Sequence, residues 1–222
     1  MKLFHGSEKI IERPAFGVGK RYNDYGRGFY CTEVQEMAME WAVSETKSGF
    51  ANQYELEENG LTVLDLNGDD YHGLHWMAML LAHRTFDLDT LLASEARDYL
   101  LEHFFIKPDD YDLIRGYRAD DSYFSFAQDF LNGTISYQQL MRALRLGRMG
   151  EQIMLRSERA FERIRFVGYE VADHTEYFAK RQQRDHQARR QYFDRERNRR
   201  GKDDFFVIHL LNGEVKPDDP RL

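Results

Sequence analysis

The sequence predicts an α+β domain, and three observations carry that prediction. Short runs of strand length recur, alternating at Gln53–Leu56 and Leu61–Leu66 and apolar at Tyr111–Gly116, 151–156 and Arg165–Val171. Other segments place apolar residues at helical spacing, such as Leu74, Met77, Ala78 and Leu81. Two capping boxes, Thr32-Glu33-Val34-Gln35 and Ser136-Tyr137-Gln138-Gln139, announce helix starts, because a hydroxyl and an amide three residues on satisfy each other's free backbone N–H groups.

Taken in order, residues 2–5 read as a strand and residues 8–25 as irregular, with Pro14, Gly17 and Gly19. A helix carrying Met37, Ala38, Trp41 and Ala42 starts just after Tyr30 and ends before Gly49. The next two strand runs, split by Asn59-Gly60, read as a hairpin. Helices follow at 70–84 and 88–105, closed off by Pro108, which cannot continue the backbone ladder. Tyr111–Gly116 is a strand, 119–131 a helix up to Asn132-Gly133, and the second box opens a helix to about Leu146. A strand at 151–156, a helical turn at Ser157–Ile164 and a strand at Arg165–Val171 complete the body. Residues 174–200 form a long polar helix, and the apolar run 204–211 reads as a strand before a polar tail.

Composition narrows the function classes. With 222 residues and 42% hydrophobic content, the chain can bury a core. One cysteine, Cys31, excludes an intrachain disulfide framework. No apolar stretch reaches the roughly 18 residues of a membrane span, and none at the N-terminus reads as a signal peptide, so a cytoplasmic protein with no membrane partner is expected. The net charge of −7 is uneven: residues 180–202 carry ten Lys/Arg against three acids. Such a basic arm on an acidic body signals a partner, either nucleic acid or an acidic surface. Tyr192 and Phe193 among the arginines could stack on single-stranded bases, while the plainer reading is a solvated helix.

The chemistry-bearing residues cluster near the N-terminus. Phe4-His5-Gly6-Ser7 is followed by Gly26-Arg27-Gly28-Phe29-Tyr30-Cys31-Thr32, with Trp41 eleven residues after Tyr30. Two aromatic rings about three helical turns apart, one before a helix and one on it, can hold a flat heterocycle. Imidazole offers one donor and one acceptor to a ribose hydroxyl, though a strand histidine can equally serve a neighbouring backbone group. Glycines let backbone amides approach a ligand. No metal-ligand spacing stands out: His72 and His75 lack a third ligand nearby. A Gly-x-Ser-x-Gly elbow and a Walker loop are absent.

These residues resemble the NAD-binding core of the ADP-ribosyltransferase superfamily, in the branch of diphtheria toxin and the poly-ADP-ribose polymerases. His5-Gly6-Ser7, Phe29-Tyr30 and Trp41 stand at that branch's positions, with Trp in place of the usual second Tyr. A closer resemblance, over most of residues 3–170, is to an uncharacterised bacterial family in the same superfamily. It rests on Tyr111-Asp112-Leu113-Ile114-Arg115-Gly116, Ala119-Asp120-Asp121, and Gln152-Ile153 with Ser157-Glu158.

The resemblance implies a split, mostly antiparallel sheet with a cleft, decorated by a helical insertion at 70–105 and a C-terminal helical arm. It divides the chain into an NAD-binding domain at 1–172 and a basic arm and tail at 173–222. It implies mono-ADP-ribosyl transfer from NAD to a protein or nucleic-acid acceptor, in a bacterial toxin or effector whose partner could be an antitoxin. His5 would anchor the adenosine-side ribose, Gly6 the nicotinamide amide, and Tyr30 and Trp41 the nicotinamide ring. Ser7, Gly28 and Phe29 belong to the same binding set, and Arg27 could approach the pyrophosphate. The catalytic acid of the superfamily opens its fifth core strand. Here that strand opens Gly150-Glu151-Gln152, and adjacent strand residues point to opposite faces, so only one of Glu151 and Gln152 enters the site. The diphtheria-like register favours Glu151; the closer family favours Gln152, which is the reading preferred here. With Gln152 in the site, an inactive NAD-binding or interaction module is the alternative. Asp120 and Asp121 are the next acidic candidates, or simply a helix start.

Overall fold

The computed structural model describes residues 1–119, 121–146 and 150–222. Its architecture is α+β, with two sheets that part around a cleft. Strands β1 (Lys2–Ser7), β3 (Gly49–Leu56) and β7 (Ile164–Ala172) form an antiparallel sheet in the order β1-β3-β7. Strands β2 (Phe29–Cys31), β6 (Glu151–Leu155), β5 (Leu113–Tyr117) and β4 (Val63–Asp65) form the second, in the order β2-β6-β5-β4. Only β4 and β5 run parallel there. The sheets touch where Phe4 and Thr32 exchange backbone bonds of 2.8 and 2.9 Å.

Among the described residues, eight helices surround them: α1 (Gln35–Ala42), α2 (Gly73–His83), α3 (Leu91–Phe104), α4 (Asp121–Leu131), α5 (Tyr137–Ala143), α6 (Glu158–Glu162), α7 (His174–Gln191) and α8 (Val207–Leu211). Most of the apolar burial is on the helical side, where Trp76, Leu100, Phe104, Tyr123, Phe130 and Phe205 share one core. The Ser136 capping box is present as expected: Ser136 Oγ accepts from Gln139 N at 3.1 Å and Gln139 Oε1 accepts from Ser136 N at 2.9 Å.

Four expectations are corrected. The run before Asn59-Gly60 and the run after it do not form a hairpin, because β3 is paired on both edges by β1 and β7 while β4 joins the other sheet beside β5. Buried Asp112 fixes that choice, accepting from Thr62 N at 2.8 Å and from Ser157 Oγ at 2.5 Å. The Thr32 box does not cap α1. Thr32 is still extended, spending its backbone on Phe4, and its hydroxyl accepts from Val34 N at 3.2 Å. Residues 207–211 are helical rather than extended, with Val207 and Leu210 buried one turn apart. A short apolar run cannot distinguish a strand from a buried helix by periodicity alone.

The fourth correction concerns Tyr192 of the basic arm, which is buried. After α7 a π-type turn at Tyr192–Glu196 sends Tyr192 into the core against Phe126, ring centroids 4.6 Å apart, so that ring is not free for bases. Phe205, Val207, Leu210 and Val215 join the same core. The body also supplies acidic partners for the arm: Arg184 holds buried Glu40 of α1 at 2.7 Å, and Lys180 holds Glu36 at 3.1 Å. Among the described residues no helix is long and apolar enough to cross a membrane.

Candidate active site

Beyond the Phe4–Thr32 bridge the two sheets splay, and His5 is the wedge. A continued ladder would pair Gly6 with Tyr30. Instead the His5 side chain reaches across, with Nδ1 2.6 Å from the Tyr30 carbonyl oxygen. A carbonyl only accepts, so Nδ1 carries the proton and Nε2 keeps its lone pair. Burial lowers the His5 pKa, outweighing the opposing bond to Tyr30, so the ring is neutral near pH 7. His5 therefore serves a backbone group and still offers one acceptor. Phe29 steadies the ring, stacked at 4.3 Å.

The opening between the sheets is a cleft of about 770 Å³. His5, Gly6, Ser7, Gly28, Phe29, Tyr30, Trp41 and Gln152 all line it. The long loop between β1 and β2 forms its outer wall and is anchored at its start by buried Asn52 of β3. That side chain accepts from Ile11 N at 2.9 Å and donates to Lys9 O at 3.1 Å and Ser7 Oγ at 3.2 Å.

Gly6 has a packing reason to be glycine. A Cβ there would stand 2.1 Å from the Ala38 carbonyl oxygen, so the side-chain-free strand is what lets α1 lie against β1 and bring Trp41 to the cleft. At Gly28 a Cβ would meet the Leu155 carbonyl oxygen at 2.6 Å. Gly6→Ala is expected to push α1 outward and destabilise the fold by about 1–3 kcal/mol, as overpacked sites do, measurable by urea unfolding.

Tyr30 is held rigidly. Its hydroxyl donates to Gly26 O at 2.7 Å and accepts from Tyr25 N at 3.0 Å. Burial pushes the phenol far above its ordinary pKa, so it remains protonated. Trp41 has a buried Nε1 with no acceptor among the described residues, and Arg118 lies over its ring at 4.5 Å. The indole face thus already carries a flat cation, a favourable contact for an electron-rich ring.

The two strand-start residues separate as adjacent strand positions must. Gln152 lines the cleft; Glu151 faces away, held by Arg115 Nε at 2.6 Å and Asn67 Nδ2 at 2.9 Å. Desolvation alone would raise the Glu151 pKa, but the bonds from Asn67 and Arg115 outweigh it and hold the carboxylate low. Glu151 is thus paired with Arg115 and is not brought into the cleft with the other predicted residues. Arg27 is exposed and is not among the residues that line the cleft. Asp120 and the side chain of Asp121 lie outside the described residues.

Several cleft residues were missed in the sequence, Asp24, Arg84 and Arg118 among them. These three line the same wall. Asp24 is buried, with Arg84 Nη1 at 2.6 Å on Oδ1 and with Ala119 N at 2.9 Å and Gln152 Nε2 at 2.8 Å on Oδ2. The only signal was an acid two residues before Gly26, inside a stretch read as irregular.

A family model described as a protein of unknown function (DUF3990) matches residues 1–166. No curated protein and no solved structure matches the chain.

Proposed function

We propose that this chain, which belongs to the DUF3990 family of unknown function, is a NAD-cleaving mono-ADP-ribosyltransferase with a macromolecular acceptor. The observation that carries the reading is the convergence of His5, Gly6, Tyr30, Trp41 and Gln152 on one cleft of dinucleotide size, from four separate elements of the chain. Two sheets that part around this cleft also fit the ADP-ribosyltransferase type of fold.

NAD enters as substrate. The neutral His5 would accept a ribose hydroxyl at Nε2. Tyr30, fixed by its own hydrogen bonds, and Trp41, whose face tolerates a planar cation, would position the pyridinium ring. Arg13, Lys20 and Arg118 place positive charge on the cleft wall for a pyrophosphate. The bond from ribose C1′ to the nicotinamide nitrogen breaks, and its electron pair leaves with nicotinamide, neutralising the pyridinium. C1′ becomes oxocarbenium-like, and a lone pair of the acceptor forms the new bond as the acceptor's proton departs. Gln152 would bind the nicotinamide-side ribose 2′-hydroxyl through its amide oxygen. Positioning of the leaving group and electrostatic stabilisation are the two contributions such a site can make.

The second reading, a binding module that keeps NAD intact, rests on Gln152 being an amide rather than an acid. A toxin or effector role, with an antitoxin as partner, belongs to the first reading. Arm ion pairs to Glu36 and Glu40 weigh against a nucleic-acid reading based on the arm alone.

The clamp is tested by calorimetry with NAD. Tyr30→Ala is expected to weaken binding at least tenfold, whereas Trp41→Phe, which keeps a stacking face, should lose no more than a few-fold. Equal losses in two folded variants would show that Trp41 does not act by stacking.

A further inference from the structure

Resting on the transferase reading, we propose that Asp24 is the carboxylate of this active site and acts through Gln152, as a positioning residue that orients the amide and supplies the negative charge an amide lacks. Three observations carry this. Among the described residues, the groups bonded to the Asp24 carboxylate are donors: the Arg84 guanidinium, the Ala119 backbone N–H and the Gln152 amide. Each of these bonds is one that the carboxylate accepts. Second, the Gln152 amide has two acceptors on its nitrogen side, Asp24 Oδ2 at 2.8 Å and Tyr117 O at 3.4 Å. This assigns the NH2 group to that side and turns Oε1 the other way, as the acceptor offered to a ligand. Third, both side chains are more than nine-tenths buried yet line the cleft, so the charge acts through little solvent.

The pair thus divides one task between two residues. A glutamate at position 152 would bind the ribose hydroxyl and carry the charge itself. Here Gln152 does the binding, and Asp24, hydrogen-bonded to the far end of the same amide, polarises its oxygen and lends the field. Arg84 keeps the carboxylate in place and moderates its charge, its guanidinium also lying over the Phe124 ring at 4.9 Å. Gln152 is therefore not a disabled glutamate, and restoring an acid there places two carboxylates in contact.

Tests on the full-length protein separate this from a structural role for Asp24. Asp24→Asn preserves shape and removes charge. Nicotinamide release should fall about 10²–10³-fold in kcat, with KM changed only a few-fold. Gln152→Glu gives a readout that needs no NAD. Among the described residues, the charged and titratable groups facing the pair are Arg84, Tyr25 and Tyr30, with His5, Arg13, Lys20 and Arg118 on the same cleft. With the Asp24 carboxylate in contact with it, the new glutamate should have a raised pKa in the folded state. Its stability should match wild type below the unfolded glutamate value of about 4.3 and fall as pH rises through the folded pKa, so the melting-temperature gap should widen between about pH 5 and 8. The double variant D24N/Q152E, which returns one negative charge to the pair, should close that gap and release nicotinamide faster than D24N.

A Gln152→Glu protein that melts like wild type at every pH overturns the inference. So does wild-type kcat in D24N, or a double variant no better than D24N. Failure of the wild-type chain itself to bind and cleave NAD would sink the transferase reading, and the inference with it, a result distinct from the variant outcomes.

Discussion

Replacing Gln152 with alanine is expected to reduce nicotinamide release about 10²–10³-fold while leaving NAD affinity within a few-fold. The amide stands in the cleft, and its proposed contact to the ribose hydroxyl strengthens only as positive charge develops on the sugar. Interactions made mainly in the transition state appear in kcat rather than in binding. Glu151→Gln serves as the partner measurement. That carboxylate faces Arg115 and Asn67, so the variant should keep wild-type turnover. Full activity in Gln152→Ala with loss in Glu151→Gln would reverse the assignment of the strand's two faces.

Asp112→Ala is expected to destabilise the fold by about 3 kcal/mol, the largest stability effect expected of any single polar group here. This carboxylate fastens two segments: the start of β4 through Thr62, and α6 through its N-cap Ser157 and through Arg159 at 3.4 Å. Desolvation would raise its pKa, but the bonds from Ser157 and Thr62 and the Arg159 charge outweigh it and hold it below the ordinary value. The folded pKa is lower than the unfolded one. The contribution is therefore present above about pH 4 and is lost as pH falls through the folded pKa. Urea melts of wild type and Asp112→Ala should differ most near neutral pH and converge in acid. A constant difference across that range would show that packing, not the carboxylate, is what the variant removes.

Local chemistry in the sequence foretold the parts of the fold that local chemistry controls. The Ser136 box, Pro108 and the apolar spacing of α2 and α3 read correctly because each depends on residues within a few positions. Strand partners did not. Asn59-Gly60 looks like a hairpin turn, and only Asp112, about fifty residues away, directs β4 into the other sheet. The same limit applied to 204–211, whose apolar run suits a strand until its burial beneath α3 and α5 is known. At the site, His5, Tyr30 and Trp41 were legible because glycines and aromatics in a fixed order announce a shaped pocket. Asp24 was not, because its importance comes from Gln152 and Arg84, 128 and 60 residues along the chain. A lone acid in an irregular loop has no period to reveal it. The arm's charge was legible and its use was not: the sequence displays the cations, and only the fold sets Arg184 against Glu40.

The central claim is that this cleft binds NAD and breaks its glycosidic bond, and nicotinamide release by the purified wild-type chain tests it without knowledge of the acceptor. The account predicts NAD-dependent release of nicotinamide that saturates with substrate and is lost in Tyr30→Ala. A folded wild-type protein that shows neither heat of binding with NAD nor nicotinamide release at millimolar NAD would contradict it.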